Sequence, residues 1–223
     1  MGIPVLVYGK SGSGKSRSLK NFAPDELVLI NPIGKPLPFR GKFKWTLISD
    51  SYSEIKNWLS KMPVDTAVID DAGYLLTNHF MRGHSGPKGG GNTFDLFNAI
   101  ADEFWQLMSF IQYSLPANKI VYIIMHEQAD DYGNTKLRTI GKLLDEKVCI
   151  EGMVTICLHC IADKEHHYFR TNSDGGDICK SPEDLFPLEI VNDLKAVDTA
   201  IREYWGIAPE KPKEPQEAPN EQG

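Results

Sequence analysis

No stretch of this chain is apolar for long enough to cross a membrane. Its start, Met1-Gly2-Ile3-Pro4, runs into a short apolar segment with no basic region ahead of it, which argues against a secretory leader. Leu6 stands where a myristoylation signal needs Ser or Thr. Cysteine is sparse. Cys149, Cys157, Cys160 and Cys179 all lie in the last third and lack the dense spacing of a secreted disulfide scaffold, so reduced thiols in a cytoplasm are expected. Positive charge is in deficit: 24 Lys and Arg against 30 Asp and Glu leave a net charge of -6. The average surface therefore repels nucleic acid, and any such partner must be held by a local basic patch. No internal repeat is visible.

What is present suits one soluble domain of 223 residues with length enough for a real core. We expect it to span residues 1–207, because 208–223 are rich in Pro, Glu, Gln and Lys and form a tail that cannot bury apolar area. Apolar runs predict strands at Pro4 to Tyr8, Glu26 to Ile30, Lys42 to Ile48, Val64 to Ile69 and Lys119 to Met125. Two more are predicted at Val148 to Ile161 and His167 to Thr171, as a hairpin turning at Ala162 to Glu165. Helices of about two turns at Lys15 to Phe22 and of greater length at Ser51 to Lys61, Phe94 to Tyr113 and Ile190 to Tyr204 alternate with them. The five glycines and one proline between Met81 and Thr93 read as a loop. This alternation predicts an α/β fold with a mostly parallel sheet covered on both faces. Such sheets bind ligands at the carboxyl ends of their strands, where Gly9, Asp70 and His126 fall.

Gly9-Lys10-Ser11-Gly12-Ser13-Gly14-Lys15-Ser16 is G-x-x-x-x-G-K-S, placed between a strand and a helix as the phosphate-binding loop requires. Its glycines let backbone N–H groups close around phosphates without a Cβ in the way. Lys15 would reach the β- and γ-phosphates of ATP, and Ser16 would ligate Mg2+. The strand Thr66-Ala67-Val68-Ile69 ends in Asp70-Asp71; Asp70 is the expected second magnesium ligand, and Asp71 either polarises the attacking water or caps the following turn. At the end of the strand Ile120 to Met125, one of His126, Glu127 and Gln128 would face the γ-phosphate and sense it.

Two loops are basic. Arg82 and Lys88 lie in the glycine-rich segment, and Lys136 and Arg138 follow Tyr132; flexible cations with a stacking face suit single-stranded DNA. Cys157-Leu158-His159-Cys160 has the look of a zinc site, but residues three apart on a strand point to opposite faces, so the two thiols should not share a metal.

The Gly9 to Ser16 loop, Val68-Ile69-Asp70-Asp71 and Ile123-Ile124-Met125-His126-Glu127 together resemble the phage nucleotide-binding proteins of Gram-positive bacterial viruses. These are RecA-like ATPases related to the phage single-strand-annealing recombination proteins. The resemblance covers about residues 3 to 206 and implies a RecA-like three-layer P-loop fold. It also implies a Mg2+-dependent ATPase in phage recombination or replication, oligomeric on single-stranded DNA in the host cytoplasm. The basic loops stand where that family binds DNA. One departure is plain. The catalytic glutamate that usually follows the second core strand is missing from Asn31-Pro32-Ile33-Gly34-Lys35, so Asp71 or Glu127 supplies the carboxylate, or hydrolysis is slow. Family filaments complete the site with a cation from a neighbour, here Lys164 or Arg170. A small-molecule kinase is the first alternative, though Arg138 and Lys142 make a thin arginine lid. A non-hydrolysing nucleotide-dependent scaffold is the second.

Overall fold

The computed structural model describes residues 1–84, 93–130, 132–140, 148–164 and 166–207. Lys88, Lys142 and the expected tail at 208–223 lie outside the described residues.

Predominantly apolar runs form strands whose side chains are buried on both faces, as strands inside a parallel sheet must be. These are β1 (Ile3–Gly9), β2 (Leu27–Ile30), β4 (Thr66–Ile69), the first six residues of β5 (Ile120–Ala129) and most of β7 (Ile156–Ala162). Shorter strands are β3 (Trp45–Leu47), β6 (Thr135–Leu137), β8 (His167–Arg170) and β9 (Glu189–Val191). The helices are α1 (Tyr52–Ser60), α2 (Gly73–Gly83), α3 (Thr93–Ser114) and α4 (Leu194–Trp205). The protein is thus α/β with a mostly parallel, mixed sheet.

The strand order is β3-β2-β4-β5-β1-β7-β8-β9, with β6 paired to the end of β5. From β3 to β7 every pairing is parallel; β6, β8 and β9 are antiparallel additions. β5 therefore separates β1 from β4, and its His126 lies level with Gly9. Because side chains alternate across a strand, one face sends Leu6, Tyr8, Ile69 and Ile123 toward Ile55, Leu75, Phe104 and Ile111 of α1, α2 and α3. The other sends Val5, Val7, Leu29 and Ile124 toward Leu19, Phe22 and, in α4, Val197 and Ile201. A buried polar cluster fastens α4 beneath the sheet. Arg202 donates to Asp198 Oδ2 at 2.7 Å, to Thr66 Oγ1 at 3.0 Å and to the carbonyls of Asp65 and Asn118. Thr66 and Tyr122 complete it by donating to Asp198 Oδ1.

Several boundaries differ from expectation. The two-turn helix over Lys15 to Phe22 is a single 3-10 turn at Ser16–Leu19: the Ser18 hydroxyl donates to the Lys15 carbonyl and competes with helical pairing, and Pro24 stops the chain soon after. Met81 to Gly83, expected in a loop, are the last turn of α2. Lys42 to Ile48 yields only β3, and the stretch before Ile156 contains a 3-10 turn at Ile150–Met153. Ile190 belongs to β9; α4 starts after Asp193, whose carboxylate accepts from the N–H groups of Lys195 and Ala196.

Candidate functional site

The loop leaving β1 is shaped by Gly12 at φ 81° and Gly14 at φ 101°, values that side-chain-bearing residues rarely adopt. A Cβ on Gly14 would also come within 2.8 Å of His167 Nδ1. The hairpin β7–β8 supports the loop from below: His167 Nδ1 donates to the Ser13 carbonyl at 2.7 Å, Cys160 Sγ donates to the same oxygen at 3.2 Å, and Asn192 Nδ2 donates to that sulfur. These partners lie roughly 150 to 180 positions downstream in sequence, and although Cys160 stood out in the cysteine motif, nothing local linked it to the loop. With one 3-10 turn in place of a two-turn helix, an anion at the loop would meet its own N–H groups and Lys15 more than a helix dipole.

Lys15 is buried, and its ammonium donates to the carbonyls of Gly9 at 2.8 Å and Lys10 at 2.7 Å. Burial lowers its pKa, opposed by the nearby Cys160, Asp71, Asp70 and Glu127. Ser16 Oγ donates to Asp70 Oδ1 at 2.8 Å, which joins the two predicted magnesium ligands across 54 residues of sequence. Burial, and then the charge of Asp71, push the Asp70 carboxyl up to about 6.

Asp71 sits at φ 59° with both oxygens engaged. Lys35 Nζ lies 3.2 Å from Oδ2 and His126 Nε2 lies 3.2 Å from Oδ1. Burial by itself would raise its pKa, but the bond from His126 and the charge of Lys35 outweigh it and the pKa is lowered. Helix α2 starts without a side-chain cap at Ala72, and the Asp71 carbonyl accepts from the Tyr74 N–H.

Glu127 is placed differently from the expectation of a strand-end group. Strand β5 continues through Ala129, and β6 pairs with its extension, Leu137 opposite Glu127. The Glu127 carboxylate lies 2.7 Å from His159 Nε2, a pair that spans the two strands flanking β1. His159 stacks on Tyr8 with ring centroids 4.5 Å apart, and its Nδ1 lies 3.4 Å from Asp177. The only sequence signal for His159 was its place in the cysteine motif. Cys157 and Cys160 of that motif pack in the cores on opposite faces of the sheet, so the two thiols do not converge.

Of the expected DNA-contacting cations, Arg82, Lys136 and Arg138 are among the described residues and fall on two separate segments. Arg82 lies in α2 and donates to Asp50 Oδ2 at 2.6 Å. Lys136 is on β6 opposite Gln128, and the exposed Arg138 donates its backbone N–H to the His126 carbonyl. Tyr132, 90% exposed, stands near the tip of that ribbon. Arg170 is held by Asp174 at 3.2 Å, Asp177 at 3.6 Å and Glu189 at 3.9 Å of its own chain, whereas Lys164 is exposed at the hairpin turn.

A magnesium ion is commonly bound by one or two protein oxygens, with phosphates and waters filling the rest of its shell. Ser16 and Asp70 fit that pattern, and the ion would supply charge to balance the phosphates. Among the described residues no group of three or more His, Cys, Asp or Glu could hold a metal, and no helix is long and apolar enough to cross a membrane. No protein-family model and no curated protein sequence matches this chain.

Proposed function

We propose that the protein binds MgATP at the Gly9–Ser16 loop and hydrolyses it as a P-loop ATPase of RecA-like architecture, in phage DNA recombination or replication. The observation that carries this reading is the Ser16 to Asp70 hydrogen bond at 2.8 Å, beside a lysine that already bonds the carbonyls of the loop. Two distant motifs, each predicted to ligate one ion, meet within hydrogen-bond distance. The strand order supports it as well, since β5 sets a polar strand end between the glycine-rich loop and the acidic pair. In this reading Lys15 binds the terminal phosphates, Ser16 and Asp70 hold magnesium, and Asp71 accepts the proton of the attacking water. Glu127, paired with His159, takes no step in this reading.

Single-stranded DNA would lie along the β5–β6 ribbon, whose backbone joins Arg138 directly to His126 at the site. A nucleotide-dependent scaffold is the second reading, favoured by one observation: both oxygens of Asp71 are occupied, which would slow water activation.

The test is ATP binding and phosphate release by the parent and by Lys15→Ala, with and without single-stranded DNA. The expected outcome is tight ATP binding and DNA-stimulated release by the parent. Lys15→Ala should lose both while its thermal unfolding stays cooperative. Equal ATP affinity in the two proteins would sink the reading, and binding without turnover would select the scaffold.

A further inference from the structure

The turn that follows β2 is built to present a lysine. Asn31 is buried, with 6% of its surface exposed, and its side chain closes the turn on both backbone groups of Lys35: Nδ2 donates to the Lys35 carbonyl at 2.7 Å, and the Lys35 N–H donates to Oδ1 at 3.3 Å. Gly34 turns the chain at φ 65°, and its N–H donates to the Asn31 carbonyl. Asn31 is in turn tied to β3 through the Leu47 carbonyl at 2.8 Å.

Across the strand ends the charged groups run in a fixed order. Lys15 follows β1, His126 lies in β5, Asp70 and Asp71 follow β4, and Lys35 follows β2. The carboxylates are thus flanked by an ammonium on either side. The two ammonium groups differ: Lys15 is sealed under the loop, while 57% of the Lys35 side chain is exposed at 3.2 Å from Asp71. On its flexible four-carbon stem, an exposed ammonium can exchange one anionic partner for another close by with little rearrangement.

Resting on the ATP reading above, we infer that Lys35 is the cation by which this chain tells a nucleoside triphosphate from a diphosphate, moving from Asp71 Oδ2 to the terminal phosphate. The exchange has a second consequence. Asp71 is released at one oxygen only when a terminal phosphate draws Lys35 away, so that oxygen becomes free to accept a proton from water in the triphosphate state. A residue within the stretch where a glutamate was expected then has a definite task, and the chain supplies its own cation. The competing account is that Lys35 does no more than balance the charge of Asp71.

Equilibrium binding of ATP and of ADP, each with Mg2+, separates the two accounts in the parent, Lys35→Ala and Lys35→Arg. Loss of one charge-assisted hydrogen bond predicts that Lys35→Ala binds ATP roughly tenfold to a hundredfold more weakly, with ADP affinity within about twofold of the parent. Lys35→Arg, which keeps the charge, should retain most of the preference for ATP. Equal weakening toward both nucleotides, or no weakening toward either, overturns the assignment and leaves Lys35 a counter-ion. If the parent binds ATP yet Lys35→Ala keeps the parental ratio, the lysine assignment alone fails. A parent that binds neither nucleotide overturns the ATP reading, and this inference with it.

Discussion

Asp70 shows how a site residue can oppose the stability of its own fold. Burial and the neighbouring Asp71 push its carboxyl up to about 6 from 3.8, so the folded protein keeps that proton over a pH range in which the unfolded chain has released it. The contribution is therefore fully present below about pH 4 and is lost as pH rises through about 6. At pH 8 the ionised group should cost the nucleotide-free protein about 3 kcal/mol, an order-of-magnitude figure from a shift of roughly two units. Asp70→Asn, which can still accept from Ser16, should then be the more stable protein in urea at pH 8, with the gap closing toward pH 4. Adding Mg2+ and ATP should reverse the order, because an amide brings no charge to the metal. A gap that does not change with pH would show that Asp70 is not held neutral by its surroundings. At this scale the glycine-rich loop and Asp70 were legible because a short motif encodes each. His159 and Asn192 were not, since their roles exist only where β7 and β9 come to lie beside and beyond β1.

Among the elements, those with strong periodicity were the readable ones. β1, β2, β4 and the first six residues of β5 are largely apolar runs, and α3 repeats its apolar residues at three and four over 22 positions. Helix α2 was missed because it starts at Gly73 after an uncapped Ala72 and runs into a glycine-rich stretch that reads as loop. Strand β6 is three residues long and owes its existence to the extension of β5, so no local signal could show it. That ribbon redraws the expected DNA surface. Arg82 pairs with Asp50 on α2, whereas Lys136 on β6 and Arg138 just after it lie on the segment joined to the site. Replacing both with alanine should weaken single-stranded DNA binding and flatten the slope of log affinity against log salt by about 1.4, the share of two phosphate contacts. Arg82→Ala should leave the slope unchanged. If Arg82→Ala flattens it as much as the ribbon pair does, the strand lies over α2 instead.

For the molecule as a whole, the question is whether one chain holds a complete nucleotide site. The resemblance pointed to a cation donated by a neighbour from the β7–β8 hairpin, at Lys164 or Arg170. The fold narrows that choice, because Arg170 faces three carboxylates of its own chain, and removing it would leave the buried Asp177 with less compensation. Arg170→Ala should therefore lower thermal stability before it alters nucleotide binding. Lys35 meanwhile provides a second cation within the chain. Nucleotide binding is accordingly expected to be complete in the monomer, and any assembly along DNA to be a separate event driven by the strand. Two measurements check this together: ATP affinity should not change across a hundredfold range of protein concentration, and mixing Lys164→Ala with Lys15→Ala should give only the sum of their separate activities. Recovery above that sum would place Lys164 in a neighbour's site, because only a hybrid pairs an intact loop with an intact hairpin, and it would return the proposed ATPase to a shared-site design.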